Sequence, residues 1–143
     1  NSDLKKIISK SNLLCINYNE AVHLSGLKNH NLNEIAESIL SLGSDSLIIK
    51  QGEEGATFFD KDTSFSINAY PVKKVMDTTG AGDTFAGGIL SSKIAGKNME
   101  DSMIAGATMA SFCIENIAHE GIVKVSDSEY KLRKEWIQSS LTY

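Results

Sequence analysis

The chain has 143 residues, 41% of them hydrophobic and 22% charged, and its 14 Lys+Arg against 18 Asp+Glu leave a formal net charge of −4. That apolar content suffices for a core and is too high for a disordered chain. The acidic balance, with no basic cluster beyond the pairs Lys5-Lys6 and Lys73-Lys74, excludes the neutralising of nucleic-acid phosphates as the main role.

No apolar run approaches the roughly 18 residues of a membrane helix, and no signal-peptide pattern opens the chain. Cys15 in Leu13-Leu14-Cys15-Ile16 and Cys113 in Ser111-Phe112-Cys113-Ile114 both read as small buried hydrophobes, not as a disulfide or metal pair. These features lead to the expectation of a soluble cytoplasmic protein with no membrane and no nucleic-acid partner. The first residue is Asn1 and a polar helix-like segment starts at once, which suits a piece of a longer or processed protein.

Helical and strand patterns alternate along the chain, the signature of an α/β unit with a mostly parallel sheet flanked by helices. A short helix is expected over Asp3 to Ser9, with Leu4, Ile7 and Ile8 on one face, and a buried strand over Leu13 to Ile16. Glu20 to Leu24 follows as a helix stopped by Gly26. Asn33 to Leu42 is a second helix, with Asn31 or Asn33 able to cap it and Gly43 to close it. Ser46 to Lys50 is a strand, and the turn Gln51 to Gly55 leads into Ala56 to Phe59. After the turn at Lys61-Asp62, Ser64 to Ile67 alternates as a half-exposed strand, so an antiparallel strand pair interrupts the α/β order here.

Val72 to Val75 is expected as a further strand running into the Gly-rich segment, after which a helix extends from Asp83 toward Ile94 and ends at Gly96. The next helix, Met99 to Ile114, sets Met103, Ala107, Ala110 and Ile114 at helical spacing, and Ala105, Gly106, Ala107 and Ala110 permit close packing. Ser126 and Glu129 form a capping-box pattern before a last helix carrying Tyr130, Leu132, Trp136 and Ile137. No repeat or linker interrupts residues 1–143, which read as a single compact unit.

The richest stretch is Asp77-Thr78-Thr79-Gly80-Ala81-Gly82-Asp83-Thr84-Phe85. Gly80 and Gly82 allow backbone geometry closed to other residues and a close approach of ligand to the main chain. The amides at the start of the following helix are unpaired, and the helix dipole favours negative charge there, so the segment reads as an anion hole. The apolar continuation Phe85 to Leu90 suggests a buried helix whose N-terminus sits in a cleft. A carboxylate at Asp83 repels a bound phosphate, but it suits a base that takes a proton from a hydroxyl attacking a phosphoryl group. The simpler alternative is that Asp83 caps the helix and the glycines form a tight turn.

The segment Asp77 to Asp83, with Gly80-Ala81-Gly82-Asp83 at its core and Phe85-Ala86-Gly87-Gly88 beyond it, resembles the second signature of the ribokinase family, the carbohydrate kinases of the phosphofructokinase B type. A P-loop does not fit, because no Gly-Lys-Ser/Thr follows, and the glycine spacing is wrong for a dinucleotide fingerprint. Two further elements come in the order that the resemblance requires. Asn17-Tyr18-Asn19-Glu20 resembles the family's Asn-x-x-Glu motif, whose Glu helps organise magnesium, phosphate and water. Gly52-Glu53-Glu54-Gly55 resembles its Gly-x-x-Gly turn in the nucleotide region. Read without the resemblance, the first is a helix cap and the second an ordinary turn.

The resemblance implies a ribokinase-like fold, of which this chain is the C-terminal, ATP-binding part, and ATP-dependent phosphoryl transfer to a sugar or nucleoside hydroxyl. Asp83 would be the base, with Gly80, Ala81 and Gly82 beside it in the anion hole. Asn17, Glu20, Lys50, Gly52, Gly55, Thr78 and Thr79 would face the nucleotide, and Glu20 the Mg2+ ion. Lys50 equally suits a solvated surface position. Asp77, with Thr79, would either hold a monovalent cation such as K+ or cap the loop. Asn116 to Gly121 would belong to the adenine and cation wall, although His119 reads as a surface loop residue.

Whole family members also carry an N-terminal acceptor-binding region and a β-sheet lid through which a homodimer can form, and neither has a counterpart in these residues. The isolated chain is therefore expected to phosphorylate its acceptor poorly or not at all. The alternative from another class is a non-catalytic nucleotide-binding or regulatory homologue.

Overall fold

A computed structural model of the chain describes residues 2–117 and 120–143. The contacts divide it into two compact units, one of residues 1–66 with Tyr143, the other of residues 67–142, and the division falls at the end of a strand rather than at a linker.

In the first unit the apolar runs become strands because each finds a neighbour for its ladder. β1 (Leu14–Asn17) pairs in parallel with β2 (Ser46–Lys50), with Leu14 opposite Leu47 and Asn17 opposite Lys50. Parallel pairing requires a crossover, supplied by α2 (Tyr18–Ser25) and α3 (Leu32–Leu40). β3 (Ala56–Asp60) then runs antiparallel to β2, with Ile48 opposite Phe58. β4 (Ser64–Ile67) follows a tight turn and completes the order β1-β2-β3-β4, so the sheet is mixed and its parallel pairing is confined to β1 and β2. The expected strand pair at 56–67 is present. β4 buries Phe65 and Ile67 in alternation, and Phe58 stacks on Phe65 with ring centroids 5.0 Å apart.

Successive side chains of a strand face opposite ways. On one face Leu47, Ile49 and Phe59 pack with Ala21 of α2 and Ile35, Ala36 and Ile39 of α3. α3 starts one residue before the expected segment, because Asn31 caps it in a capping box with Glu34. α1 (Ser2–Ile8) buries Ile8 but leaves Leu4 and Ile7 exposed, so the expected three-residue apolar face reduces to one contact.

The second unit is helical. α4 (Ala81–Ile94) and α5 (Met99–Ile114) pack so closely that a Cβ added at Gly88 would lie 2.7 Å from the Gly106 Cα, and one at Gly106 would lie 2.6 Å from the Phe85 carbonyl oxygen. Of the small residues expected to permit close packing, Gly106 and the Ala105 backbone lie at the contact, opposite Gly88. Of the expected stripe on α5 only Met103 is fully buried, Ala107, Ala110 and Ile114 being half-buried, and Ile104, Thr108, Phe112 and Cys113 complete the buried face. A short helix, α6 (Glu120–Val123), precedes α7 (Asp127–Ser139), which is capped by Ser126 and buries Ile137.

Two expectations are corrected. Val72 to Val75 forms no strand. The Val72 amide donates to the Tyr70 carbonyl (2.9 Å) and the Met76 amide to the Ile114 carbonyl of α5 (2.8 Å), so these donors are used outside any ladder. α4 is not buried all round either: Phe85 and Ile89 face inward, while Leu90 is 62% and Ile94 79% exposed. No described helix is long and apolar enough to cross a membrane.

Candidate functional site

In the first unit, Asn17 ends β1 and caps α2. Its side-chain oxygen accepts from the Glu20 amide (2.9 Å), and a Glu20 carboxylate oxygen accepts from the Asn17 amide (2.8 Å). The reciprocal pair is a capping box. Because Asn17 lies opposite Lys50, the C-terminal ends of the two parallel strands bring Asn17, Glu20 and Lys50 into one neighbourhood. Both charged groups also act on Cys15. Burial pushes its thiol up most, Lys50 pulls it down, and Glu20 raises it.

Beyond Lys50, residues Gly52–Glu54 make a turn of 3-10 helix, with Gly52 at φ 63° and Gly55 at φ 104°. Both are left-handed values that favour glycine. The Gly55 carbonyl accepts from the Gln51 amide (2.8 Å), which closes the turn.

In the second unit, the loop before α4 is held by its own residues. A carboxylate oxygen of Asp77 accepts from the Thr79 amide at 2.8 Å. The Ala81 amide donates to the Thr78 carbonyl (3.2 Å), and Gly80, at φ 79°, takes the left-handed turn that sets the helix going. No side chain caps α4. The first-turn amides of Gly82 and Asp83 have no intrahelical acceptor, as at any helix start, and carry the positive end of the dipole. Asp83 is the third helical residue and is exposed, as are Thr78 and Thr79. Within the second unit, α4 buries the face carrying Phe85 and Ile89, and Asp83 lies off that face.

Sequence reasoning missed the support beneath this loop. The Ile114 carbonyl, at the end of α5, accepts from the amides of Met76 (2.8 Å) and Asp77 (3.4 Å). The Cys113 thiol donates to the Thr79 carbonyl at 3.6 Å. No local pattern announces these contacts, since they join positions more than 30 residues apart. Among the described residues no three His, Cys, Asp or Glu side chains cluster as metal ligands. Part of the expected adenine wall, His119 included, lies outside the described residues.

The chain matches the pfkB family of carbohydrate kinases over residues 1–120. It belongs to that family. Among its pfkB relatives, the nucleoside kinase of Methanocaldococcus jannaschii is 34% identical over 112 residues, which is 78% of this chain and 35% of that protein. The crystal structure of that kinase superposes with a TM-score of 0.75 over 94% of this chain and 43% of its own, at 29% identity. Arabidopsis thaliana ribokinase, solved with ribose and ATP, has a TM-score of 0.80 over 92% of this chain and 43% of its own, at 23% identity. A putative ribokinase II from E. coli, in complex with ATP and Mg2+, gives 0.79 over 94% and 42%, at 19% identity. These neighbours establish the ribokinase fold. The chain spans about a third of the length of the first curated relatives, 35% of the nucleoside kinase and 30% of the plant ribokinase.

Proposed function

We propose that residues 1–143 form one nucleotide-binding portion of a cytoplasmic small-molecule kinase that moves the γ-phosphoryl group of ATP to a hydroxyl of a sugar or nucleoside. One observation carries the reading. At the start of α4, uncapped amides, a left-handed glycine and a carboxylate on the third helical residue share a loop tied by Asp77. The activities of the relatives, nucleoside kinase and ribokinase, support it.

On this reading the Gly80, Gly82 and Asp83 amides, with that of Ala81 turning from the Thr78 carbonyl, meet the phosphoryl oxygens and offset the charge that develops there. Each such donor contributes on the order of 3 kcal/mol in a transition state. Asp83 accepts the proton of the attacking hydroxyl as its oxygen bonds to phosphorus. The bond from phosphorus to the bridging oxygen breaks, and its electron pair leaves with ADP. Thr78 and Thr79 flank the phosphates. In the first unit, Lys50 and the Gly52–Gly55 turn are the candidates for nucleotide contact. Acceptor selection, and any homodimer, belong to parts of the full-length relatives outside the matched share.

Glu20 fits magnesium: one carboxylate oxygen accepts from the Asn17 amide, and the side chain is exposed, as suits a hydrated ion that takes few carboxylates. Bound there, magnesium would neutralise phosphate charge. For Asp77 the hydrogen bond to Thr79 favours the capping role, and a monovalent cation at Asp77 and Thr79 would have to share oxygens that already accept bonds.

In the full-length protein, Asp83→Asn should lower kcat about 10²- to 10⁴-fold with ATP binding retained. A kcat close to wild type removes Asp83 as the base. ATP binding without turnover in the wild-type protein, across a panel of sugars and nucleosides, would instead mark a non-catalytic homologue.

A further inference from the structure

The loop before α4 rests on the last turn of α5. A helix leaves its final carbonyls without intrahelical donors, and the Ile114 carbonyl takes the Met76 and Asp77 amides at 2.8 and 3.4 Å. One residue earlier, the Cys113 thiol donates to the Thr79 carbonyl (3.6 Å), and its sulfur lies 4.0 Å from where a Cβ on Gly80 would sit. That single turn of helix therefore contacts four consecutive or near-consecutive residues of the loop: Met76, Asp77, Thr79 and Gly80.

The other side of the same turn is gripped by Arg133, which comes from α7. Its guanidinium donates to the Ser111 hydroxyl at 3.0 Å and forms an ion pair with the Glu115 carboxylate. It also lies over the Phe112 ring, 3.8 Å from the centroid, and 4.8 Å from the centroid of Tyr70, which opens the segment leading to Asp77. The Arg133 side chain is only 12% exposed. A planar fork that stacks while donating in two directions is a property of arginine that lysine lacks. Its charge also faces the negative end of α5, whose last turn has no basic residue of its own.

We propose that Arg133 is a positioning residue for the Asp77–Asp83 loop, acting through residues 111–115 rather than by touching phosphate. The inference rests on the anion-hole reading above for its functional meaning, while its mechanical content is independent of it. α7 thereby governs the loop from 50 or more residues downstream in the chain.

The test uses amide hydrogen exchange and pyrophosphate titration followed by NMR. The variants are Arg133→Lys and the double variant Arg133→Met with Glu115→Gln, which leaves no lone buried charge. Members of one hydrogen-bonded network couple strongly, so the double variant should speed exchange at Met76 and Ala81 about tenfold relative to Ile104 in mid-α5. It should weaken pyrophosphate binding, read at the Gly80, Gly82 and Asp83 amides, by a similar factor, and Arg133→Lys should fall in between. Unchanged exchange at Met76 and Ala81 in a folded variant overturns the proposal. If the double variant does not fold, wild-type exchange at those amides in Arg133→Lys overturns it equally. Absence of pyrophosphate shifts in the wild-type protein would instead refute the anion hole, and the exchange data would still decide the part played by Arg133.

Discussion

At Glu20 two roles meet on one carboxylate. The side chain closes the capping box with Asn17 and, on the proposed reading, organises magnesium. A substitution separates them, because Gln serves a capping box as well as Glu does but carries no charge. In the full-length protein, Glu20→Gln should leave thermal stability within about 0.5 kcal/mol of wild type, while on that reading the magnesium concentration for half-maximal rate rises. Magnesium titrations of the rate check this, and an unchanged requirement confines Glu20 to the cap. The capping pair was legible in the sequence because its partners are three residues apart. The juxtaposition with Lys50 was not, since it depends on the register of β1 against β2.

Among the elements, the contact between α4 and α5 is the most constrained. A methyl group at Gly106 would lie 2.6 Å from a backbone oxygen and 3.1 Å from the Ile89 side chain, so the helices must separate to admit it. Overpacking of this kind costs about 1–3 kcal/mol, and Gly106→Ala should lose that much stability in chemical unfolding despite alanine's better helix propensity. A stabilised variant would mean that the helices are not so close.

At α7, hydrogen bonds from Ser126 hold the Glu129 carboxyl below its ordinary range, with a lesser pull from Arg133. A lowered folded-state value means that this contribution is full above the unfolded glutamate value, about 4.3, and is lost as pH falls through it toward the folded value. The stability gap between wild type and Ser126→Ala should therefore narrow in acid melts as the pH falls below about 4, leaving the part due to the cap on the Glu129 amide; a gap that stays constant refutes the linkage. The helix starts were readable from Asn31 and Ser126 because caps are local. Val72 to Val75 misled because β-branched residues signal a strand only where a neighbouring strand can take their amides, and here the Val72 amide turns back to Tyr70 and the Met76 amide reaches α5.

For the molecule as a whole, the match to about a third of the length of its curated relatives bears directly on activity. Catalysis needs the acceptor oxygen held near phosphorus, and a misplacement of about 1 Å can cost a hundredfold. The 143 residues alone should therefore release ADP with a sugar or nucleoside at least about a hundredfold more slowly than the full-length protein. Coupled ADP assays on both check this, and equal rates would show that these residues select the acceptor unaided.

The family, the order of its motifs, the cap at Ser126, and the narrowing of the α2 and α3 caps and of the left-handed turn to pairs of nearby residues followed from the sequence by itself, for each depends on short local patterns; the structure chose Asn17, Asn31 and Gly80 within those pairs. The tertiary structure alone decided that α4 buries one face, that β2 has a parallel neighbour on one side and an antiparallel one on the other, and that the Asp77–Asp83 loop rests on Cys113 and Ile114 under the grip of Arg133. The reason is physical: hydrogen bonds near in sequence are dictated by covalent spacing, whereas contacts between distant residues depend on how whole elements pack.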